Sequence, residues 1–247
     1  MSEILAPCGA QESLSAAVNA GADAVYLGEE YFSARKNADN FTAEQLCEAV
    51  RFCHYSSVKV YVTLNTLVFD REIPMLAKAI ENCAKADVDG FIVQDMGVAR
   101  LARQIVPELP LHASTQMTVN SPEGAVMAKK LGFTRVVLGR ELSYEQIKAV
   151  IDSCDIETEL FVHGALCVCV SGQCYMSSVL GGRSGNRGLC AQPCRLDFTS
   201  GDRHNVLSLK DLSLVEKLPE LEKLGVTSFK IEGRMKRPEY VAGAVNA

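Results

Sequence analysis

The sequence predicts an α/β fold, a closed (β/α)8 barrel of the TIM type, from three observations. Short apolar or β-branched runs alternate with amphipathic helical stretches along the chain, as parallel strands joined by crossover helices require. Eight such units fit into 247 residues, a usual length for one barrel. A closed sheet also leaves no exposed edge. An open doubly wound sheet is the alternative, but the first strand is followed by only one glycine, Gly9, and not by the Gly-x-Gly-x-x-Gly of a dinucleotide-binding turn.

Each strand is placed by an apolar or β-branched run between turn residues. The eight predicted strands are Glu3–Pro7, Ala24–Gly28, Val58–Asn65, Gly90–Asp95, Leu111–Gln116, Arg135–Arg140, Glu159–His163 and Ser228–Glu232. Capping patterns indicate where helices begin: Thr42 with Gln45, Ser121 with Pro122, and Ser143 with Gln146. Glycines suited to a left-handed residue indicate where helices end: Gly21, Gly132 and Gly225.

One connection is much longer than the others. Residues 165–227, between the seventh and eighth strands, form an insertion dense in Cys, Gly and Arg. Long connections in compact domains are commonly functional, and loops that follow barrel strands open at the C-terminal face, where active sites lie. We therefore expect a single barrel domain over 1–247, with an insertion that covers this face and contains a helix, Leu209–Leu224, behind Ser208 and Asp211.

The end of the chain and its composition set further expectations. The eighth helix begins near Pro238, and its helical pattern is interrupted by the end of the sequence at Ala247. We therefore expect this chain to be the N-terminal part of a longer protein. A net charge of -5 and a pI near 5.5 argue against nucleic-acid binding through bulk charge, although a local basic patch is compatible with them. No apolar run is long enough to span a membrane, and the first residues do not follow a signal-peptide pattern. We expect a cytoplasmic protein without a membrane partner, whose ten cysteines are thiols or metal ligands rather than disulfides.

Four cysteines in the insertion have the spacing of a metal site. Cys167, Cys174, Cys190 and Cys194 are separated by six, fifteen and three residues, and Cys169 is an extra thiol in the first gap. Zinc and iron–sulfur clusters both accept four thiolates. The wide first gap favours an iron–sulfur cluster over zinc. The third hypothesis is that these cysteines are buried thiols that bind no metal. The other cysteines are expected to be small buried hydrophobic residues: Cys8, Cys47, Cys53, Cys83 and Cys154.

Polar and charged residues at strand ends are candidates for the remainder of the site. His163 and Glu232 are candidates for acid–base catalysis, although His163 also suits a structural role, and His112 is expected in the core. Strand-end residues expected to contact substrate are Asn65, Gln116 and Thr118. A cationic rim that could bind a small dicarboxylate or RNA phosphates comprises Arg140, Arg183, Arg187, Arg195, Arg234 and Lys236. The alternative is a set of weak surface ion pairs.

Long motifs in the chain resemble one known family. The segments 159–167, 171–174 and 181–195, which carry the four cysteines, resemble the signature region of the peptidase U32 family, the collagenase-like proteases. Further blocks of that family are matched by 5–9, 20–28, 112–117 and 230–240. Cys8 is a departure, because the family usually has a small residue there.

The resemblance implies a function that differs from the family label. Better understood bacterial members are prephenate-dependent RNA hydroxylases that act on a tRNA wobble uridine or a 23S rRNA cytidine, and others take part in ubiquinone hydroxylation. Such members carry a 4Fe–4S cluster on four cysteines, here Cys167, Cys174, Cys190 and Cys194. The chain is most similar to the rRNA type in segments 184–188 and 190–195. The resemblance thus implies RNA and prephenate as partners.

Two alternatives remain open. A peptidase needs an activated nucleophile or a metal-bound water, and neither Gly-x-Ser-x-Gly nor His-Glu-x-x-His occurs in the sequence. A partner subunit whose cluster is structural or relays electrons is the other alternative.

Overall fold

Eight parallel strands close into a barrel in the computed structural model, which describes residues 1–35 and 38–247. The parallel strands are β1 Glu3–Pro7, β2 Ala24–Gly28, β3 Lys59–Leu64, β4 Gly90–Val93, β5 Leu111–Ala113, β6 Arg135–Val137 and β7 Glu157–Gly164, followed after a short antiparallel β8 (Leu212–Ser213) by β9 Ser228–Ile231. Strand β9 pairs with both β1 and β7, and β6 pairs with β7. These pairings close the sheet and confirm the predicted (β/α)8 barrel.

Helices follow the strands and cover the outside of the barrel. They are α1 Gln11–Asn19, α2 Ala43–Tyr55, α3 Ile73–Lys85, α4 Met96–Ile105, α5 Pro122–Lys130, α6 Tyr144–Ser153, α7 Met176–Gly181, α8 Leu218–Leu224 and α9 Pro238–Asn246. The capping boxes at Thr42 and Ser143 and the cap at Ser121 are confirmed by side chains that accept backbone N–H groups. Gly21, Gly132 and Gly225 are left-handed, as predicted. None of the helices in residues 1–35 and 38–247 combines the length and the apolar character that a bilayer crossing requires.

Several strands end earlier than the sequence predicts, because the residues after them serve the loops of the mouth. Asp95 does not continue β4: its carboxylate accepts from the backbone N–H groups of Gly97 (2.7 Å) and Val68 (3.1 Å) and so caps α4. Gln116 lies in a short 3-10 helix capped by Ser114. Strand β7, in contrast, begins two residues earlier than predicted, at Glu157.

The prediction of one helix over Leu209–Leu224 is wrong at its start. Leu212 and Ser213 are extended and pair antiparallel with Gly164 and His163 of β7. Because these residues complete a strand pair, the helix begins only at Leu218, where Pro219 occupies the first turn.

The barrel has an outer and an inner core. The outer core lies between strands and helices and includes Val25, Leu27 and Leu46. The inner core is small, with Tyr26, Tyr61 and Ile92 among its members. Charged side chains occupy much of the remaining interior, and this polar interior brings ionisable groups close to the mouth of the barrel.

Candidate functional site

The insertion lies over the C-terminal mouth of the barrel and contacts loops on opposite sides of it. Gly188, with φ +75°, packs so closely that a side-chain Cβ there would come within 2.5 Å of the Ser33 carbonyl oxygen. Nearby, the Leu67 N–H donates to the Asn186 carbonyl (3.2 Å). Across the mouth, Gly172 packs directly on the backbone of Gln116. The insertion is therefore held at loops that follow β2, β3 and β5.

The four cysteines lie near one another in this insertion. Cys167 and Cys190 are exposed, and Cys174 and Cys194 are half-buried. Burial raises the pKa of the Cys194 thiol, and the neighbouring Cys167, Cys190 and Cys174 raise it further, whereas Arg195 lowers it. The thiols of Cys167, Cys174 and Cys190 therefore lie within the range of charge–charge effects on Cys194, on the order of 10 Å.

The donor set of the insertion is four thiols, which a zinc ion and an iron–sulfur cluster both accept as thiolates. In residues 1–35 and 38–247, no three side chains among His, Cys, Asp and Glu are arranged to hold one metal ion. Two of the sulfurs also accept N–H groups: Cys167 from Arg140 Nη1 (3.5 Å) and Cys190 from the Gln192 backbone (3.4 Å). Such N–H donors stabilise the negative charge of cluster-bound thiolates.

Beside the thiols, Glu232 is held between two arginines. Its carboxylate accepts from Arg35 Nη2 (2.9 Å) and Arg140 Nη2 (3.4 Å). Burial by itself would raise the pKa of Glu232, but Arg35 and Arg140 outweigh it and lower this pKa to about 2. The carboxylate is therefore ionised at neutral pH and orients the two guanidinium groups.

Arg234 is a buried cation whose bonds are to hydroxyl groups. It is 6% exposed, and its Nη1 donates to Ser33 Oγ (2.6 Å) and Thr63 Oγ1 (2.9 Å). Desolvation and the nearby Arg35 lower the pKa of Arg234 to about 10, so it remains charged at neutral pH. Asn65, from the same group of loops, accepts from the Ala34 N–H (3.0 Å).

Three arginines of the proposed cationic rim hold the insertion in place, two through bonds within it and one through a bond to the segment after β3. Arg183 Nε donates to the Leu189 carbonyl (3.0 Å). Arg195 donates to the carbonyls of Leu166, at the start of the insertion, and of Leu209, shortly before β8 (2.8 Å each). Arg187 makes two bonds to Glu72, at 2.7 and 2.8 Å. These guanidinium groups stabilise the fold of the insertion, and their predicted contact with substrate stays a prediction.

We expect the Glu72–Arg187 pair to make stability depend on acid pH. The hydrogen bonds from Arg187 lower the pKa of Glu72 from 4.5 to about 2. A carboxyl group whose pKa is lowered by folding contributes stability above its ordinary pKa and loses it as the pH falls towards the lowered value. Glu72→Gln should therefore be less stable than the wild type above pH 4.5, and the difference should vanish towards pH 2. Urea unfolding followed by circular dichroism at several pH values measures this.

The control is Glu216→Gln, because Glu216 is exposed and pairs with no cation in the described ranges. A difference between Glu72→Gln and the wild type that stays constant down to pH 2 would contradict the expectation.

The loop between Cys167 and Cys174 is clamped to the end of β6 and to the loop after β5. Glu141 accepts from the Ser171 hydroxyl (2.8 Å) and N–H (3.2 Å). Thr118 donates to the Ser171 carbonyl (2.8 Å) and accepts from Gln173 Nε2 (2.9 Å). In this structure Thr118, proposed as a substrate contact, bonds to the cysteine loop.

Gly172→Ala should loosen this clamp. Gly172 has φ +77°, and a Cβ there would overlap with the Gln116 carbonyl, so the loop must move. We expect a loss of more than about 1 kcal/mol in the free energy of unfolding and faster proteolysis within the insertion. The matched control is Gly181→Ala at the end of α7, where a Cβ meets nothing within 4 Å. Equal behaviour of the two variants would contradict the role assigned to the close contact.

The histidines differ in their surroundings. His112 is buried, with its ring 4.6 Å from Tyr61 in an edge contact, and burial holds its pKa well below the ordinary value. His112 is thus a neutral core residue, as predicted. His163 is half-buried at the end of β7, with its ring 5.6 Å from that of Tyr240. Lys236 Nζ lies 5.2 Å from the same Tyr240 ring, which places Lys236 on the rim near His163.

Three polar atoms near the mouth lack partners. Gln94 Oε1, Gln116 Oε1 and Arg140 Nε are buried without a hydrogen-bond partner in the part of the chain that the structure describes. They follow the adjacent strands β4, β5 and β6. Because unpaired buried polar groups are costly, these atoms are suited to hydrogen bonds with a bound molecule.

Sequence reasoning missed several residues of this site. Arg35 was not a candidate, because it lies in a loop after β2 that carries no motif, far from Glu232 in sequence. Tyr26 and Lys230 were assigned only to strands, yet Lys230 Nζ lies 4.2 Å from the Tyr26 ring. Period-2 alternation places both side chains inside the barrel and could have identified them.

Comparisons with known proteins agree with this architecture. The family model described as Peptidase family U32 matches residues 9–247. The chain is 42% identical over 247 residues to the 23S rRNA 5-hydroxycytidine C2501 synthase of Escherichia coli, covering 97% of the chain and 37% of that protein. It is 38% identical over 258 residues to tRNA hydroxylation protein P1 of Bacillus subtilis, covering 99% of the chain and 61% of that protein. The chain therefore spans between about a third and two thirds of the length of these relatives.

A solved structure of a U32 peptidase has the same fold. It superposes with a TM-score of 0.64 at 16% sequence identity, covering 94% of this chain and 92% of that one. At this identity the likeness concerns the fold alone.

Proposed function

Since the chain belongs to peptidase family U32, we propose that it takes part in the hydroxylation of an RNA base, with a 4Fe–4S cluster as cofactor and prephenate as co-substrate. The proposal treats residues 1–247 as one barrel domain of a cytoplasmic enzyme, with its active face under the insertion 165–227. A 23S rRNA cytidine is the target that the relative from Escherichia coli suggests, and tRNA is the target that the relative from Bacillus subtilis suggests. The family resemblance implies a wobble uridine as the target base in tRNA.

The observation that carries the proposal is the position of the four thiols over the barrel mouth. Three of them, Cys167, Cys190 and Cys174, raise the pKa of the fourth, Cys194, after burial does. Arg140 connects Cys167 to Glu232 inside the mouth. A peptidase that used one of these thiols as its nucleophile would need that thiol free, whereas a thiol bound to iron is not available for that role.

Each element of the site has a task in this proposal. A bound 4Fe–4S cluster supplies one-electron redox chemistry, and Cys167, Cys174, Cys190 and Cys194 would hold it. Arg35, Arg140 and Arg234 surround the single carboxylate of Glu232, so cations outnumber carboxylates at this position in the mouth. Guanidinium groups bind carboxylates through paired hydrogen bonds, which suits a dicarboxylate such as prephenate.

RNA would approach from the rim. Lys236 and the exposed edge of the insertion can contact phosphates, and a target base must be splayed out of the RNA fold to enter the mouth. His163, half-buried at the end of β7, is the candidate for acid–base catalysis there. Glu232, which is ionised and paired with two arginines, acts by orienting Arg35 and Arg140.

The test combines iron analysis of the chain with mass mapping of RNA nucleosides. Anaerobically purified protein should contain iron and sulfide, and rRNA or tRNA from a deletion strain should lack one hydroxyl group that expression of the intact gene restores. An iron-free protein that cleaves gelatin would overturn the proposal in favour of a peptidase. An iron-containing protein whose deletion leaves both RNA maps unchanged would favour a partner subunit in another hydroxylation.

A further inference from the structure

Arg140 connects the insertion to the barrel through three different contacts. Its Nη1 donates to Cys167 Sγ (3.5 Å) and its Nη2 donates to Glu232 Oε2 (3.4 Å). The centre of the guanidinium lies 3.9 Å from the centre of the Phe161 ring. The Arg140 backbone N–H donates to Ser171 Oγ (3.2 Å), within the same cysteine loop.

The guanidinium is fixed mainly by the barrel and not by the cysteine loop. Phe161 belongs to β7, and Glu232 follows β9 and is held from its other side by Arg35 at 2.9 Å. The side chain of Arg140 is 11% exposed, so solvent screens its charge only weakly. A rigid, poorly screened cation therefore faces the first cysteine of the set.

A cation in this position favours the more negative state of a group bound through Cys167. A 4Fe–4S cluster with four thiolates gains one negative charge when it takes up one electron, and N–H donors to its sulfurs are among the features that set its potential. Such outer contacts also orient the ligands and affect how tightly the metal is held.

We propose that Arg140 is a positioning residue for the cluster. Its guanidinium holds Cys167 at the barrel mouth and makes the reduction potential of the cluster more positive. The inference rests on the proposed function, because it concerns the cluster proposed there. Lysine cannot replace arginine fully, since a single ammonium group does not present the planar fork that reaches Cys167 and Glu232 while it stacks on Phe161. The N–H on Nε is buried and has no partner in the described ranges, so it is available to a bound substrate.

The experiment compares Arg140→Gln and Arg140→Lys with the wild type and with Arg203→Gln. Arg203 is an exposed residue of the same insertion and donates to no thiol in the described part of the chain, so its variant removes an equal charge without the contact. The midpoint potential is measured by redox titration followed by electron paramagnetic resonance. Cluster retention is measured as iron left after exposure to a chelator.

We expect Arg140→Gln to have a more negative midpoint potential and about 10- to 100-fold weaker cluster retention. Arg140→Lys should recover part of the potential but little of the retention, and Arg203→Gln should match the wild type. Complete loss of the cluster in Arg140→Gln, with the circular dichroism and unfolding midpoint of the iron-free chain unchanged, would also support the positioning role.

Three outcomes would overturn the inference. One is an Arg140→Gln variant with wild-type potential and retention, and another is an equal shift in Arg203→Gln. The third is an iron-free Arg140→Gln chain that is unfolded, since Arg140 would then act in folding. A wild-type chain that binds no iron would overturn the proposed function as well, which separates the two failures.

Discussion

Replacement of any one of Cys167, Cys174, Cys190 and Cys194 by serine should abolish iron binding, and this is the largest effect that we expect. Each of these thiols is expected to ligate one corner of the cluster, and a hydroxyl group is a much weaker ligand for iron. Mutation of groups that only support metal ligands already costs about 10- to 100-fold in affinity, so removal of a ligand should cost at least as much. Iron and sulfide content after anaerobic reconstitution, with the absorption spectrum, measures the effect.

Two cysteine variants serve as controls. Cys154→Ser changes a half-buried thiol that follows α6, and it should keep the full iron content. Cys169→Ser changes a thiol inside the gap between Cys167 and Cys174. Burial raises the pKa of the Cys169 thiol, and the neighbouring Cys174 thiol raises it further. This variant should also keep the cluster, although less stably. Full iron content in all four single variants would refute the assignment of the ligands.

Glu159→Ala should produce the largest loss of stability. Glu159 is fully buried and accepts from Lys230 Nζ (2.7 Å) and Arg135 Nη1 (3.2 Å), both of which are also buried. Removal of the carboxylate leaves two cations without their shared partner inside the barrel. Breaking a buried pair in this way costs about 3–5 kcal/mol, which lowers the melting temperature of a chain of this length by roughly 6–20 °C. Thermal unfolding followed by circular dichroism measures it.

Glu157→Ala is the matched control for this prediction. Glu157 bonds to the same arginine, Arg135, at 2.7 Å through Nε, but its side chain is 50% exposed. Exposed pairs contribute about 0–1 kcal/mol, so this variant should unfold close to the wild type. Similar melting temperatures for the two variants would show that the buried network contributes little.

The sequence predicted much of the fold because the signals involved are local. Strands β1 and β2 have the predicted bounds, and the capping residues Thr42, Ser121 and Ser143 act where the pattern placed them. These features depend on side chains a few residues apart. The ends of β4 and β5 were not predicted, because Asp95 and Ser114 turn to cap the following elements and so end the ladder.

The candidate site was predicted less completely than the fold. The four cysteines were predicted as metal ligands from spacing and from the family resemblance. The insertion that carries them lies over the barrel mouth, and their role as ligands stays a prediction. The bonds of Arg35 to Glu232, Glu141 to Ser171 and Arg187 to Glu72 were not predicted. Each of these pairs joins segments that are distant in sequence, and a single sequence contains no signal for such a pairing.

By itself, the sequence determined the order of strands and helices, the long insertion and the set of thiols within it, since alternation, capping and spacing are properties of neighbouring residues. Only the tertiary structure decided which guanidinium groups lie at the mouth and which stabilise the insertion. Arg140 and Arg195 look alike as residues in a basic pattern, yet Arg140 reaches Cys167 and Glu232 whereas Arg195 bonds to backbone carbonyls. Closure of the barrel brings together ends of strands that are far apart in the chain, and this closure determines the partner of each charge.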